Sequence, residues 1–223
     1  MSIDAKRKRA VRIIKILEQA TKKMPEPASV TIVKKYGRNP YLVLVSCLLS
    51  LRAKDTASLP VSIELFKHGK TPDQIIKLPL RQIEKIIYSV GYFRSKAKQI
   101  KEVTQDIIDR FNGIVPHTYQ DLISIKGVGP KTANLVLATA FGKPALIVDI
   151  HVHRISNRLG LIKTKTPEET QIALEELLPE SYWNKYSRLL VVWGQNICLP
   201  ISPLCSQCPV YNECKRVGVT RHR

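Results

Sequence analysis

The sequence predicts an all-α protein, and three observations lead to that prediction. Apolar residues at 11, 13, 14, 16 and 17 recur at helical spacing, with basic residues between them. From position 40 onward, prolines and glycines divide the chain into segments of helical length. Strand signals are few, and the clearest is the alternating segment 145–153 (ALIVDIHVH). The 223 residues suffice for one large domain or two modest ones.

The predicted elements follow in chain order. An amphipathic helix covers 5–20, and the breaker-rich segment 24–29 (MPEPAS) is a linker. Segment 145–153 is either a strand or the start of a helix that Asp149 caps and that runs to Leu159. Proline or glycine at 60, 72, 79, 91 and 116 marks joints between the intervening helices. Those helices are expected at 41–51, 55–67, 72–77, 80–89, 94–111, 118–124 and 130–141.

The charge of the chain indicates a polyanionic partner. Lysine and arginine number 36 against 18 acidic residues, a formal net charge of +18, so nucleic acid is the first candidate. The basic run Lys6–Arg9 either contacts phosphate or forms a solvated helix face. The longest apolar run, 41–51, is too short to span a bilayer and is expected to be a buried helix. No signal peptide precedes it, so we expect an intracellular protein without a membrane partner.

The segment KGVGPKTANLVLATAFG, 126–142, predicts an anion-binding turn. Gly127 and Gly129 permit positive φ and close approach of a backbone, and Pro130 suits the first position of a helix. The turn therefore presents a helix N-terminus, which suits a phosphate. A dinucleotide fingerprint would need glycine at Thr132, and the spacing of a P-loop is absent. Helix, glycine hairpin and helix together grip a nucleic-acid backbone without reading bases.

Four cysteines near the end of the chain indicate a metal centre. Their spacing is C-x6-C-x2-C-x5-C, formed by Cys198, Cys205, Cys208 and Cys214. Zinc sites usually pair two CxxC motifs across a longer spacer, whereas a compact Cys₄ loop favours an iron–sulfur cluster. Zinc remains the alternative. Cys47 lies within the apolar run and is expected to be a small buried hydrophobe.

Taken together, these motifs resemble endonuclease III, a branch of the helix-hairpin-helix DNA glycosylases. The resemblance is carried by KGVGPKTANLVL, by VDIHVHR and by the cysteine spacing, and it extends from about residue 40 to residue 214. It implies a six-helix barrel domain at 33–142 and a discontinuous cluster domain formed by 1–32 and 143–223. It also implies a [4Fe-4S] cluster on the four cysteines.

The implied activity is base excision repair: removal of oxidised pyrimidines from duplex DNA, then strand cleavage 3′ to the abasic site. Lys131 would form a Schiff base with the sugar, and Asp149 would be the second catalytic residue. His151 would lie beside the lesion. The resemblance implies a monomer acting on double-stranded DNA, in the cytoplasm or nucleoid of a prokaryotic source.

The chain departs from the family pattern at residues that would contact DNA. Arg52 stands where the family commonly has the glutamine that fills the gap left by the flipped base, and Tyr92 stands at the second wedge, usually leucine. Lys126 replaces the proline that usually precedes the hairpin. The loop between Cys198 and Cys205 lacks the basic residues that the family often carries there.

Three alternatives remain open at this stage. A thymine-mismatch glycosylase has the same fold but typically lacks the catalytic lysine. An adenine-mismatch glycosylase usually carries a further C-terminal domain. A catalytically silent iron–sulfur protein that binds DNA is the third, and the presence of both Lys131 and Asp149 argues against it.

Overall fold

The computed structural model describes residues 2–223, and within them it contains α-helices and short 3-10 helices but no β-strand. The all-α prediction is therefore confirmed. The α-helices are α1 (Ile3–Ala20), α2 (Ala28–Tyr36), α3 (Pro40–Ser50), α4 (Asp55–His68), α5 (Pro72–Lys77), α6 (Leu80–Ile86), α7 (Phe93–Phe111), α8 (Tyr119–Ser124), α9 (Pro130–Thr139), α10 (Ile150–Leu159), α11 (Pro167–Leu177) and α12 (Trp183–Asn196).

The helices form two compact units. The first, here called the hairpin unit, is Pro27–Lys143; the second, the cysteine unit, combines the chain up to Glu26 with Pro144–Arg223. The hairpin unit begins a few residues before position 33, the expected start of the barrel domain, because α2 packs against α3. In residues 2–223 no helix is long and apolar enough to cross a membrane.

Helix α3 is the centre of the hairpin unit. Every residue from Tyr41 to Leu49 is buried, and α2, α4, α7 and α9 pack against it. Asn39 sets its start, because its Oδ1 accepts hydrogen bonds from the backbone N–H groups of Tyr41 (3.0 Å) and Leu42 (3.2 Å). The helix ends at Ser50, so Arg52 lies two residues beyond the end of a buried element.

The cysteine unit is built on α1, α10, α11 and α12. Apolar faces of these helices form one core, which includes Ile13, Leu17, Val152, Ile155, Leu159, Leu174, Leu190 and Trp193. The basic run at the start of α1 is not wholly solvated. Arg7 donates to the carbonyl oxygen of Leu177 (2.9 Å), and the buried Arg9 donates to the carbonyls of Leu159 and Glu213.

Segment 145–153 consists of a stretch without regular secondary structure followed by the start of α10. The backbone N–H of Ala145 donates to Asn184 Oδ1 (2.8 Å), and that of Ile147 donates to Ser187 Oγ (3.0 Å). Side chains of α12 thus satisfy the backbone groups that a neighbouring strand would otherwise satisfy. Of the two alternatives for Asp149, the N-cap of a helix is confirmed.

Several sequence-based boundaries are wrong. Pro60 lies inside α4 and not at a joint, and α6 ends at Ile86, short of the expected 89. Helices α2, α11 and α12 were not anticipated. Breaker residues and apolar periodicity mark where a helix is allowed to end, whereas packing decides how far it continues.

Candidate active site and cysteine cavity

The hairpin joins α8 to α9 through residues 125–129. Gly127 adopts φ +95°, and its carbonyl accepts a hydrogen bond from Gln99 Nε2 (2.8 Å). Val128 is buried and anchors the turn. Gly129 has an extended backbone at φ −92°, so of the two glycines only Gly127 uses the positive φ that glycine permits. A Cβ added at Gly129 would meet no described atom within 4 Å, which leaves this side of the turn open.

Lys131 is the second residue of α9 and is exposed, while the next two residues are buried. The buried face of α9 packs on α3, so the first turn that carries Lys131 is held firmly. Burial raises the pKa of Cys47 to about 12, and the positive charge of Lys131 acts in the opposite direction. The two side chains therefore lie within electrostatic range, and Cys47 is buried as predicted.

Asp149 is the N-cap of α10. Its Oδ1 accepts hydrogen bonds from the backbone N–H groups of His151 (2.8 Å) and Val152 (2.9 Å), which fixes the carboxylate at the helix start. His151 Nδ1 lies 3.1 Å from Arg154 Nη2, and His153 Nδ1 lies 2.7 Å from Thr170 Oγ1. Throughout residues 2–223, the structure brings no three His, Cys, Asp or Glu residues together as ligands of a single metal ion.

Arg52 and Tyr92, two of the expected departures from the family pattern, share an unusual backbone conformation. Both are in the left-handed region, with φ 53° and φ 60°, and both side chains are exposed. Arg52 lies between α3 and α4, and Tyr92 is the N-cap residue of α7. Non-glycine residues in this region carry strain and cluster at functional sites.

The four cysteines of the C-x6-C-x2-C-x5-C motif line one cavity of the cysteine unit. Its other walls are mostly apolar: Leu17, Ile155, Leu159, Trp193, Ile197, Pro203, Leu204, Val210, Tyr211 and Val219. Arg158 Nη1 donates to Cys198 Sγ (3.4 Å), and the backbone N–H of Arg216 donates to Cys214 Sγ (3.4 Å). N–H···S bonds and an apolar lining suit a thiolate-bound iron–sulfur cluster, although within residues 2–223 the four thiols are not drawn together as ligands of one metal ion.

Two arginines on α10 tether the loop that follows the first cysteine, and sequence reasoning missed both. Arg154 Nη2 donates to the carbonyl oxygen of Cys198 (2.8 Å). Arg158 donates to the carbonyls of Leu199 (2.6 Å) and Pro200 (2.7 Å). Their spacing of four positions on one helix, directly after Asp149, was a signal that these side chains share a face.

An all-helical chain with a glycine hairpin, a lysine in the helix after it and a Cys₄ cavity has the features of a helix-hairpin-helix DNA glycosylase. The family described as "HhH-GPD superfamily base excision DNA repair protein" matches residues 45–180. Endonuclease III of Thermotoga maritima is 42% identical over 197 residues, covering 86% of this chain and 92% of that protein. This chain therefore belongs to the endonuclease III family and is a base excision repair DNA glycosylase and AP lyase.

Two solved structures show how far the fold alone discriminates. One is a trapped endonuclease III–DNA covalent intermediate, an estranged-adenine complex, with TM-score 0.82 and 30% identity over 97% of both chains. The other is a thermostable thymine-DNA glycosylase, with TM-score 0.81 and 25% identity over 97% of this chain and 98% of that one. Because the two TM-scores are nearly equal, residues and not the fold must separate these activities.

Proposed function

We propose that this chain excises oxidised pyrimidines from duplex DNA with Lys131 as nucleophile and Asp149 as the second catalytic residue. Strand cleavage 3′ to the resulting abasic site follows by β-elimination. The observation that carries the proposal is the position of Lys131. It is an exposed amine on the first turn of a firmly packed helix, directly after a glycine turn suited to a DNA phosphate.

The attacking form of a lysine is the neutral amine, because only that form has the lone pair that can bond to carbon. The Nζ lone pair forms a bond to the sugar C1′ while the glycosidic bond breaks and its electron pair leaves with the base, which takes up a proton. The amine then loses a proton and the sugar ring opens to give a Schiff base. Loss of a C2′ proton expels the 3′ phosphate, so the steps need no oxidant or reductant.

Asp149 is proposed to accept the proton that Lys131 releases and to balance positive charge that develops on the sugar. Two backbone N–H bonds to its Oδ1 support this role, because they hold the carboxylate in one orientation before substrate binds. N-capping and catalysis are compatible. The N-cap hydrogen bonds use only Oδ1, whereas the proposed catalytic role requires a negatively charged carboxylate at this position.

The remaining proposed contacts are with DNA. Backbone groups at Gly127 and Gly129 would approach a phosphate, and His151 would lie beside the lesion. Arg52 and Tyr92 would enter the duplex at the flipped nucleotide and contact the opposing base. One copy of the chain would act on double-stranded DNA containing a damaged pyrimidine or an abasic site, and the net charge of +18 favours that polyanion.

We further propose that Cys198, Cys205, Cys208 and Cys214 hold a [4Fe-4S] cluster. All four line the same apolar cavity, and two of the thiols already receive N–H donors. When bound, the cluster would cross-link the C-terminal segment of the chain by four Fe–S bonds. The reaction described above does not pass through it.

Reduction with borohydride tests the proposal about Lys131. Hydride converts a Schiff base to a stable secondary amine, so wild-type protein should become covalently attached to an abasic duplex. Lys131→Gln should bind the same duplex and form no adduct. Lys126→Gln, which removes the neighbouring lysine of the hairpin, is the matched control and should retain the adduct. A persistent adduct in Lys131→Gln would refute the assignment.

A mismatch glycosylase is the second candidate, favoured by the similarity to a thermostable thymine-DNA glycosylase. A panel of duplexes separates the two: one set carries single oxidised pyrimidines, and the other carries thymine opposite guanine. The proposed function predicts excision from the first set at much higher rates. Preferential excision of mismatched thymine would support the second candidate instead.

A further inference from the structure

Lys96 is a buried lysine that the chemistry above does not use. The residue is 4% exposed, and its Nζ donates to the carbonyl oxygen of Leu49 (2.6 Å). Burial lowers the pKa of Lys96, and no carboxylate in residues 2–223 forms an ion pair with it. Burying an amine is unfavourable unless it is hydrogen-bonded, so the bond to the Leu49 carbonyl is what stabilises Lys96 in this position.

The acceptor lies at the end of α3. Leu49 is in the last turn of that helix, where carbonyl groups lack partners within the helix and the dipole is negative. Lys96 therefore caps the C-terminus of α3 from a different helix. Three residues after Leu49 the chain reaches Arg52, whose backbone is held in the left-handed region.

The other end of Lys96 belongs to the first turn of α7. Its backbone N–H donates to the carbonyl oxygen of Tyr92 (3.0 Å), the left-handed residue with which α7 begins. One residue is thus bonded through its side chain to the helix end before Arg52 and through its backbone to Tyr92 itself. It ties together the two loops that carry the exposed, strained side chains.

We propose that Lys96 is a positioning residue that fixes the spacing of Arg52 and Tyr92, so that both side chains enter the duplex together when the damaged base leaves the stack. The inference rests on the DNA contacts proposed above for those two residues. Two side chains that insert into a stacked duplex at neighbouring points must be correctly spaced. A misplacement of about 1 Å can lower the rate of an enzymatic reaction by about 100-fold.

The test replaces Lys96 by methionine, which has similar length but no donor and leaves no unpaired charge in the interior. Lys96→Arg keeps a donor and a positive charge and serves as the rescue variant. Trapping on abasic duplexes is compared with trapping on abasic single strands, where no base stack must be opened. We expect Lys96→Met to lower the duplex rate by about tenfold relative to the single-strand rate, and Lys96→Arg to restore part of it.

A second measurement separates positioning from a structural role. 2-Aminopurine placed beside the abasic site fluoresces when it is unstacked, so Lys96→Met should weaken the signal that wild-type protein produces. In an Arg52→Ala, Tyr92→Ala background, Lys96→Met should have little further effect, because residues that act through one another are not additive. An undiminished effect in that background, or an equal loss on single and double strands, would overturn the inference. If Arg52→Ala and Tyr92→Ala leave the duplex rate unchanged, the proposed DNA contacts fail and this inference fails with them.

Discussion

Arg52 stands where the resemblance to endonuclease III leads us to expect a glutamine. A glutamine at this place would carry no charge, whereas arginine offers a planar fork of donors that matches guanine O6 and N7. The structure adds that Arg52 is exposed and held at φ 53°. The residue is therefore presented outward from a fixed backbone, as a side chain entering a duplex must be.

We predict that activity on a single lesion is higher opposite guanine than opposite adenine, and that Arg52→Gln removes most of that difference. A bidentate contact contributes about 1–3 kcal/mol of discrimination. Excision rates opposite all four bases measure the effect. An equal loss opposite every base, with a shallower dependence on salt, would instead identify Arg52 as a phosphate contact.

Among the secondary-structure elements, the hairpin contains two glycines that have different structural roles. Gly127 needs positive φ and lies against Gln99, whose Nε2 would be 3.0 Å from an added Cβ. Gly129 has ordinary backbone angles and open space in the described part of the chain. The first glycine shapes the turn, and the second leaves room for a ligand.

Gly127→Ala should therefore lower the stability of the protein by about 1–3 kcal/mol, because alanine is strained at φ +95°. Gly129→Ala should leave stability nearly unchanged and weaken binding to duplex DNA, because its Cβ would stand where we propose that a phosphate approaches. Thermal unfolding and binding to an abasic-analogue duplex measure the two effects. Equal destabilisation by both substitutions would contradict the assignment of tasks.

At the scale of the whole molecule, the five cysteines divide between the two units. Four line the cavity of the cysteine unit, and Cys47 is buried in α3 of the hairpin unit. This division provides a matched pair of substitutions. Each replaces one thiol by a hydroxyl, in different units of the same chain.

We predict that the purified protein is brown and contains iron and sulfide. Cys208→Ser should lose the colour and fold poorly, because metal binding and folding of the C-terminal segment are coupled. Cys47→Ser should keep the iron. Metal analysis of protein made without oxygen and with ample iron and sulfide checks both, and stoichiometric zinc without iron would refute the cluster.

Several elements could be predicted from short stretches of sequence, because apolar periodicity and turn residues act within a few residues of one another. Helical periodicity indicated α1. The glycine turn indicated α8 and α9, with the lysine in the first turn of α9. By contrast, α2, α11 and α12 were missed, and Pro60 was assigned to a joint although it lies within α4. Packing decides their extents: α2 packs on α3, α11 on α10, and α12 on α10 and α1, and the apolar pattern of one segment does not show which helix it meets.

The sequence by itself determined the class of this protein, because turn chemistry, cysteine spacing and charge depend on residue type and spacing. Tertiary structure alone decided which basic residues are structural. Arg9 and Lys96 look like their solvated neighbours in the sequence, yet both are buried and donate to the carbonyl oxygens of helix ends or turns. The physical reason is that a helix leaves its last carbonyl groups without partners, and only the folded chain determines which distant side chain reaches them.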